Sequence, residues 1–154
     1  MEPNLKYYLD TEFDGHNGPL LSVGIVREDG FSLHLWTEAT PKDGWVQEHV
    51  EPHMDSHEAD LDARSVRPNA VGGLLLDFLR GDYDPYIFTD SPVDIWRFCR
   101  AISTADDGGW ASVDIPNITF EACDVSCYPT DLPGAVQHNA WWDAMALRHK
   151  LTNN

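Results

Sequence analysis

Residues 6–14 read KYYLDTEFD, a run of aromatic and aliphatic residues that ends in carboxylates. Tyr, Leu and Phe at this density indicate a buried β-strand. A strand sends alternate side chains to opposite faces, so Asp10 and Glu12 share one face at its end. Like charges a few Å apart are costly. The chain must therefore leave this strand end in water or bring a positive partner to it. An edge strand showing its acids to solvent satisfies the first condition. A divalent cation satisfies the second, and hard oxygen ligands suit Mg²⁺ or Mn²⁺.

The segments after this strand set the fold class. Leu20 to Arg27 (LLSVGIVR) and Phe31 to Trp36 are β-prone runs separated by an Asp-Gly turn signal, and with strand one they predict an antiparallel meander. Trp45 to Val50 reads as a short helix stopped near Pro52. Residues 53–66 are acidic and aperiodic, which predicts a loop. Pro68 to Arg80 has helical spacing, Pro85 to Thr89 is a short buried strand, and Ser91-Pro92 opens a helix that runs through Ile102. Ile118 to Cys123 is a late strand, Tyr128 to Gly134 a connection, and His138 to Lys150 a final helix. The order predicts an α/β fold, with a mixed sheet carrying helices on its faces. The length of 154 residues fits a single domain over 1–154.

Composition narrows the partners. A formal net charge of −16 argues against a broad basic surface for long duplexes. It leaves open a protein that holds a short single-stranded end through metal ions, aromatics and backbone groups. No apolar run approaches the ~20 residues of a membrane span, and the first residues lack the basic and apolar regions of a signal peptide. The expectation is a cytoplasmic protein without a membrane partner. Cys99, Cys123 and Cys127 do not form a zinc pattern and are expected as buried, reduced thiols.

Further acids fall at telling places. Asp94 sits in the first turn of the helix opened by Ser91, where an acid also complements the helix dipole. Asp90 competes with it, at the C-terminal edge of strand 85–89, where sites of α/β folds gather. Near the C-terminus, His138 and Asp143 are five residues apart. On one helix they would lie about 140° apart. If His138 precedes the helix, both can reach one cleft, where a neutral imidazole is suited to deprotonating water.

Strand-D-x-E, a mid-chain Asp at a helix start and His138-Asn139-Ala140-x-x-Asp143-Ala144 resemble, in this order, the motifs of the DEDDh family of 3′–5′ exonucleases. The stretch Tyr7 to Phe13 and the pattern Trp45-Val46-x-x-x-Val50-x-Pro52 are further similar to its RNase AS subfamily of polyadenylate-specific exoribonucleases. Asp90-Ser91-Pro92-Val93-Asp94 is more acidic than that subfamily's second motif and carries an added proline. The resemblance implies an RNase H-like fold and two Mg²⁺ (or Mn²⁺) ions about 4 Å apart. It implies Asp10 as a ligand to both ions, Glu12 and Asp143 as ligands to one, Asp94 as a ligand acting largely through water on the other, and His138 as the general base. Phe13 would pack on a terminal base, and the Thr11 backbone N–H would meet the 3′ end. The implied substrate is the 3′ end of single-stranded RNA. DNA ends use the same ligands and differ in contacts to the 2′-OH. A non-catalytic nucleic-acid-binding protein on this fold is the other class. Relatives in this family are commonly homodimers, with the partner chain flanking the site.

Other features read more plainly. His49, His53 and His57 recur every fourth residue, but Pro52 breaks the helix a zinc stripe would need, which favours a His-rich loop near the substrate channel. Of Trp141 and Trp142, one is expected in the core and the other facing the site or a partner. Gly72-Gly73 lacks phosphate-loop spacing and is expected to allow close helix packing. Arg64, Arg67, Arg97 and Arg100 are the cations available to phosphates, with solvated surface pairing as the alternative.

Overall fold

The computed structural model describes residues 4–58, 61–111, 114–125 and 132–153. Cys127 and the first part of the expected 128–134 connection lie outside the described residues. The strands are β1 (Lys6–Phe13), β2 (Leu20–Arg27), β3 (Ser32–Thr37), β4 (Asp62–Val66), β5 (Tyr86–Thr89) and β6 (Thr119–Ala122); the helices are α1 (Gly44–His49), α2 (Val71–Phe78), α3 (Pro92–Ile102) and α4 (Ala140–Thr152). They form one six-stranded sheet in the order β4-β3-β2-β1-β5-β6. The first three strands are the expected antiparallel meander, while β4, β5 and β6 each pair in parallel with a neighbour. The result is a mixed α/β sheet with β1 inside it, an architecture consistent with an RNase H-like fold.

One expected loop is in part a strand. Residues 53–66 contain β4, which pairs in parallel with β3 from Leu33↔Asp62 to Thr37↔Val66. Its side chains are mostly exposed. An edge strand held by its backbone need not alternate apolar and polar residues, so DARSV carries no strand signal.

The sheet's two faces are covered differently. Tyr7, Leu9, Val23, Ile25, Leu33 and Leu35 alternate onto one face and pack under α2 and α3 through Val71, Leu75, Phe98 and Ile102. The opposite face takes α4, whose Trp141, Trp142 and Ala144 pack with Val26. Both tryptophans are buried, so neither faces a partner. Close approach between layers depends on two glycines. A Cβ on Gly72 would lie 1.9 Å from the Ala101 carbonyl oxygen, so α2 and α3 touch backbone to backbone, as the Gly-Gly pair suggested. A Cβ on Gly24 would lie 2.4 Å from the Ala140 carbonyl oxygen. That glycine lets the start of α4 rest directly on β2, and Gly24 is the cross-strand partner of Asp10.

Candidate active site

Strand β1 outruns its parallel neighbour. Its pairing with β5 ends at Tyr8↔Phe88, whereas its pairing with β2 continues to Phe13. The strand end bearing Asp10, Thr11 and Glu12 is therefore open on the β5 side, and the start of α3 fills the gap. Ser91 caps that helix, accepting from the Val93 N–H at 3.2 Å. Asp94, in its first turn, is only 3% exposed. It accepts hydrogen bonds from the Thr11 hydroxyl and the Thr89 hydroxyl, one on each carboxylate oxygen, both at 2.6 Å. Asp94 is thus more than a helix-start acid: it ties β1, β5 and α3 together.

The last acid arrives from the other face. Helix α4 begins at Ala140, two residues later than the sequence suggested, because Asn139 is its cap and accepts from the Trp142 N–H at 3.0 Å. The buried Asn139 side chain also donates to the carbonyls of His53 and Ser56, at 2.6 and 2.8 Å. One residue therefore fixes both the helix start and the His-rich turn beside it. His138 lies just before the cap with φ of 60°, a left-handed conformation uncommon outside glycine. That turn of the chain lets His138 and Asp143 line the same cleft, together with Asp10, Glu12, Asp90 and Asp94. The cleft has a volume of about 280 Å³.

The carboxylates form two sets that share a member. Oxygens of Asp10, Glu12 and Asp143 lie within 4.8 Å of one another, and so do those of Asp10, Asp90 and Asp94. Asp90, the sequence's competitor to Asp94, falls with it in the second set. The crowding shows in acidity. Burial, then the charges of Asp94 and Asp143, push Asp10 well above the usual carboxylate range. Burial, then Asp143, does the same to Glu12. Burial raises Asp143 to about 7 and Asp94 to about 6, the latter against the opposing effect of its two hydroxyl donors. His138 is lowered by burial, then by His49 and His53, which favours the neutral imidazole that can accept a proton.

These residues fit a divalent cation. Asp10 Oδ2 and Asp143 Oδ1 are out of solvent and accept no hydrogen bond. Buried carboxylate oxygens without donors are costly, and a cation between them would satisfy both. The donor set is all carboxylate, the hard-oxygen chemistry of Mg²⁺ or Mn²⁺.

Around this centre the remaining residues take varied places. Phe13 lines the cleft, and the Arg97 guanidinium stacks on its ring, 4.5 Å from the centroid. Arg97 is not the solvated cation expected: it is 3% exposed and donates to the carbonyls of Gly15, His16 and Gly18, holding the loop after β1. The Thr11 hydroxyl is committed to Asp94. Trp45 meets His138 edge-on at 5.0 Å and stacks on His49 at 4.5 Å, so the His-rich segment does border the cleft. His57 instead lies by Trp36 and the buried His34, whose imidazole burial pushes down to about 3. Among the described residues, no histidine joins a metal-sized cluster. Cys99 and Cys123 are free and half-buried, more open than expected.

Two constraints had no sequence signal of their own. Asn139 belongs to the third motif, but its link to the 53–56 turn is a long-range contact. Gly24 sits in a β-prone run, and only the packing of α4 shows why a side chain is excluded there.

The site so defined is an acidic cleft at the end of an inner strand of a mixed α/β sheet. No family model matches the chain. It is similar to two curated relatives from two strains of Mycobacterium tuberculosis, each named 3′–5′ exoribonuclease. Both are 42% identical to it over 104 residues, a match covering 63% of this chain and 55% of the relative. The chain therefore spans little more than half the length of the relatives it matches.

Proposed function

We propose that the chain is a single exonuclease domain of DEDDh type that removes 5′-mononucleotides from the 3′ end of single-stranded RNA with the help of two divalent ions, Mg²⁺ or Mn²⁺. The observation that carries this reading is the pair of carboxylate sets sharing Asp10, with a neutral histidine on the same cleft. The names of the two relatives support the 3′–5′ direction and RNA as substrate. The similarity of Tyr7 to Phe13 and Trp45 to Pro52 to the RNase AS subfamily favours adenylate-rich ends.

Asp10 would be common to both ions, with Glu12 and Asp143 on one side and Asp94 on the other. Asp90 is an additional candidate for the second set. Bound divalent ions would supply charge stabilisation to the entering and leaving oxygens of the phosphodiester. His138, held neutral beside the cleft, takes the proton from the attacking water. Thr11 and Phe13, flanking Glu12, meet the terminal nucleotide, with the Phe13 ring offering a face to its base. The fixed positions of Asp94 and Asn139 keep these groups in register, the kind of preorganisation that lowers a barrier without new contacts.

The test is digestion of 5′-labelled RNA and DNA oligonucleotides of mixed sequence, with Mg²⁺ or with chelator. The expected result is a descending ladder on RNA that requires the metal. A ladder on DNA alone would make it a deoxyribonuclease. Absence of any ladder, together with retained RNA binding, would leave a non-catalytic binding protein.

A further inference from the structure

Helix α3 carries Asp94 inward, and its outward face is unusual for so acidic a chain. Trp96 is 45% exposed and Trp110, from the turn after the helix, 89% exposed. Large exposed aromatics side by side mark a binding surface more often than chance. The two line one groove of about 540 Å³ together with Arg100. The Arg100 guanidinium lies 5.7 Å from the Trp96 ring centroid. Among the described residues, Arg27, Arg64 and Arg80 each pair with a nearby aspartate, whereas Arg100 has no carboxylate partner. Asp107, in the same turn, is bonded to the Gly109 N–H and does not line the groove.

Side-chain contacts link this groove to the cleft. Phe13, which lines the cleft, stacks on Arg97 at 4.5 Å, and Arg97 in turn lies 4.6 Å from the Trp96 ring centroid. Phe13, Arg97 and Trp96 thus form a continuous stack leading from the carboxylates to the outer face of α3. Asp94 and Arg100 are six residues apart, about 9 Å along the helix axis, so an oligonucleotide reaching from one to the other passes round the helix as well as along it.

We infer that Trp96, Arg100 and Trp110 form a track for the single-stranded RNA that precedes the nucleotide in the cleft. The inference rests on the exoribonuclease reading. Exposed tryptophans offer stacking faces that tolerate any base, and an unpaired arginine beside them meets the intervening phosphate. A protein partner would equally cover tryptophan. An arginine without a carboxylate partner among the described residues, in a chain of net charge −16, and the stack running toward the cleft favour a polyanion that begins in the active site.

The test compares a dinucleotide and a dodecamer of the same RNA sequence as substrates for the full chain, the wild type against Trp96→Ala, Trp110→Ala and Arg100→Ala. Each tryptophan variant should raise KM for the dodecamer by about 5- to 150-fold and leave kcat and the dinucleotide KM unchanged, with Trp96→Phe restoring most of the loss. Arg100→Ala should flatten the salt dependence of dodecamer binding by about 0.7 in log–log slope. Fluorescence anisotropy with a labelled, phosphorothioate-linked dodecamer reads binding apart from cleavage. Binding that weakens in the variants without cleavage by the wild type sinks the nuclease reading and keeps the track. Equal affinity of wild type and the Trp96→Ala/Trp110→Ala double variant overturns the track, as does a fall in assembled mass of that variant in sedimentation, which would make the face a protein interface.

Discussion

Replacing Gly24 with alanine tests how the site is seated. The new Cβ would stand 2.4 Å from the Ala140 carbonyl oxygen and 2.5 Å from the Trp141 Cα. Both are backbone atoms of the first turn of α4, so no side chain can swing aside. Ordinary contact begins at 3.4 Å, and the helix start must withdraw by about 1 Å to reach it. Two effects of opposite sign compete. Alanine is favoured over glycine in a strand interior by roughly 0.5–1 kcal/mol of backbone entropy. Overpacking against rigid backbone costs about 1–3 kcal/mol. The second should win, by up to about 2.5 kcal/mol, a Tm loss of up to roughly 10 °C at this chain length. The catalytic effect should be larger. His138 and Asp143 ride on the displaced turn, and a misplacement of ~1 Å can cost on the order of 100-fold in rate. Thermal unfolding and kcat on labelled RNA with saturating Mg²⁺ measure the two effects. A Gly24→Ala protein with wild-type Tm and wild-type kcat would refute the backbone seat of α4 on β2.

Other perturbations reach the site more directly. Asp10→Asn should abolish RNA digestion yet raise the Tm in chelator, because it removes a charge from both carboxylate sets; it should also shrink the Tm increase that Mg²⁺ gives the wild type, and an equal Mg²⁺ shift in both proteins would count against Asp10 as the shared ligand. His138→Ala should lower kcat by about 100- to 10,000-fold while calorimetry shows Mg²⁺ binding retained; loss of metal binding would make the histidine structural. Asp94 and Asp143 titrate at about 6 and about 7 when folded, against an ordinary 3.8. Between those limits the folded chain holds protons that the unfolded chain has released, so stability in chelator should fall as pH rises from about 4 to about 7. A Tm that climbs through this window, or a decline unchanged in Asp143→Asn, would contradict those assignments.

Much of this arrangement was legible from one dimension because it is local or periodic. Strand β1 announces itself by its aromatic run, Asp10 and Glu12 by their alternation, and α3 by Ser91-Pro92. What escaped was decided by contacts between distant segments. Strand β4 is held by backbone pairing to β3 and shows its side chains to water, so its composition carries no period. Arg97 reads as a surface cation, but three carbonyls of the loop after β1 and two aromatic rings enclose it. Trp141 and Trp142 are neighbours and so point in different directions on a helix, yet both are buried because α4 is covered on more than one side. The motif containing His138 and Asp143 pointed to two residues that line one cleft, while the helix boundary between them was set by the Asn139 side chain, whose other partners are His53 and Ser56.

The carboxylates differ in how they are held, and that difference bears on what each can do. Asp94 has a hydroxyl donor on each oxygen, so its position is fixed by protein alone, before any ligand enters. Asp10 and Asp143 each keep a buried oxygen with no donor, a position that a cation would satisfy. A carboxylate already satisfied is a weaker direct ligand than one that is bare, because a metal must compete with hydrogen bonds of about 1.5–3 kcal/mol each. The bare oxygens favour direct coordination at Asp10 and Asp143, and the satisfied ones favour contact through water at Asp94. The two ions would then differ in affinity, the Asp10–Glu12–Asp143 set filling first. Mg²⁺ titration calorimetry should resolve a tighter and a weaker step, and Thr89→Val, which strips one donor from Asp94, should strengthen only the weaker one. Two equal steps in both proteins would remove the distinction.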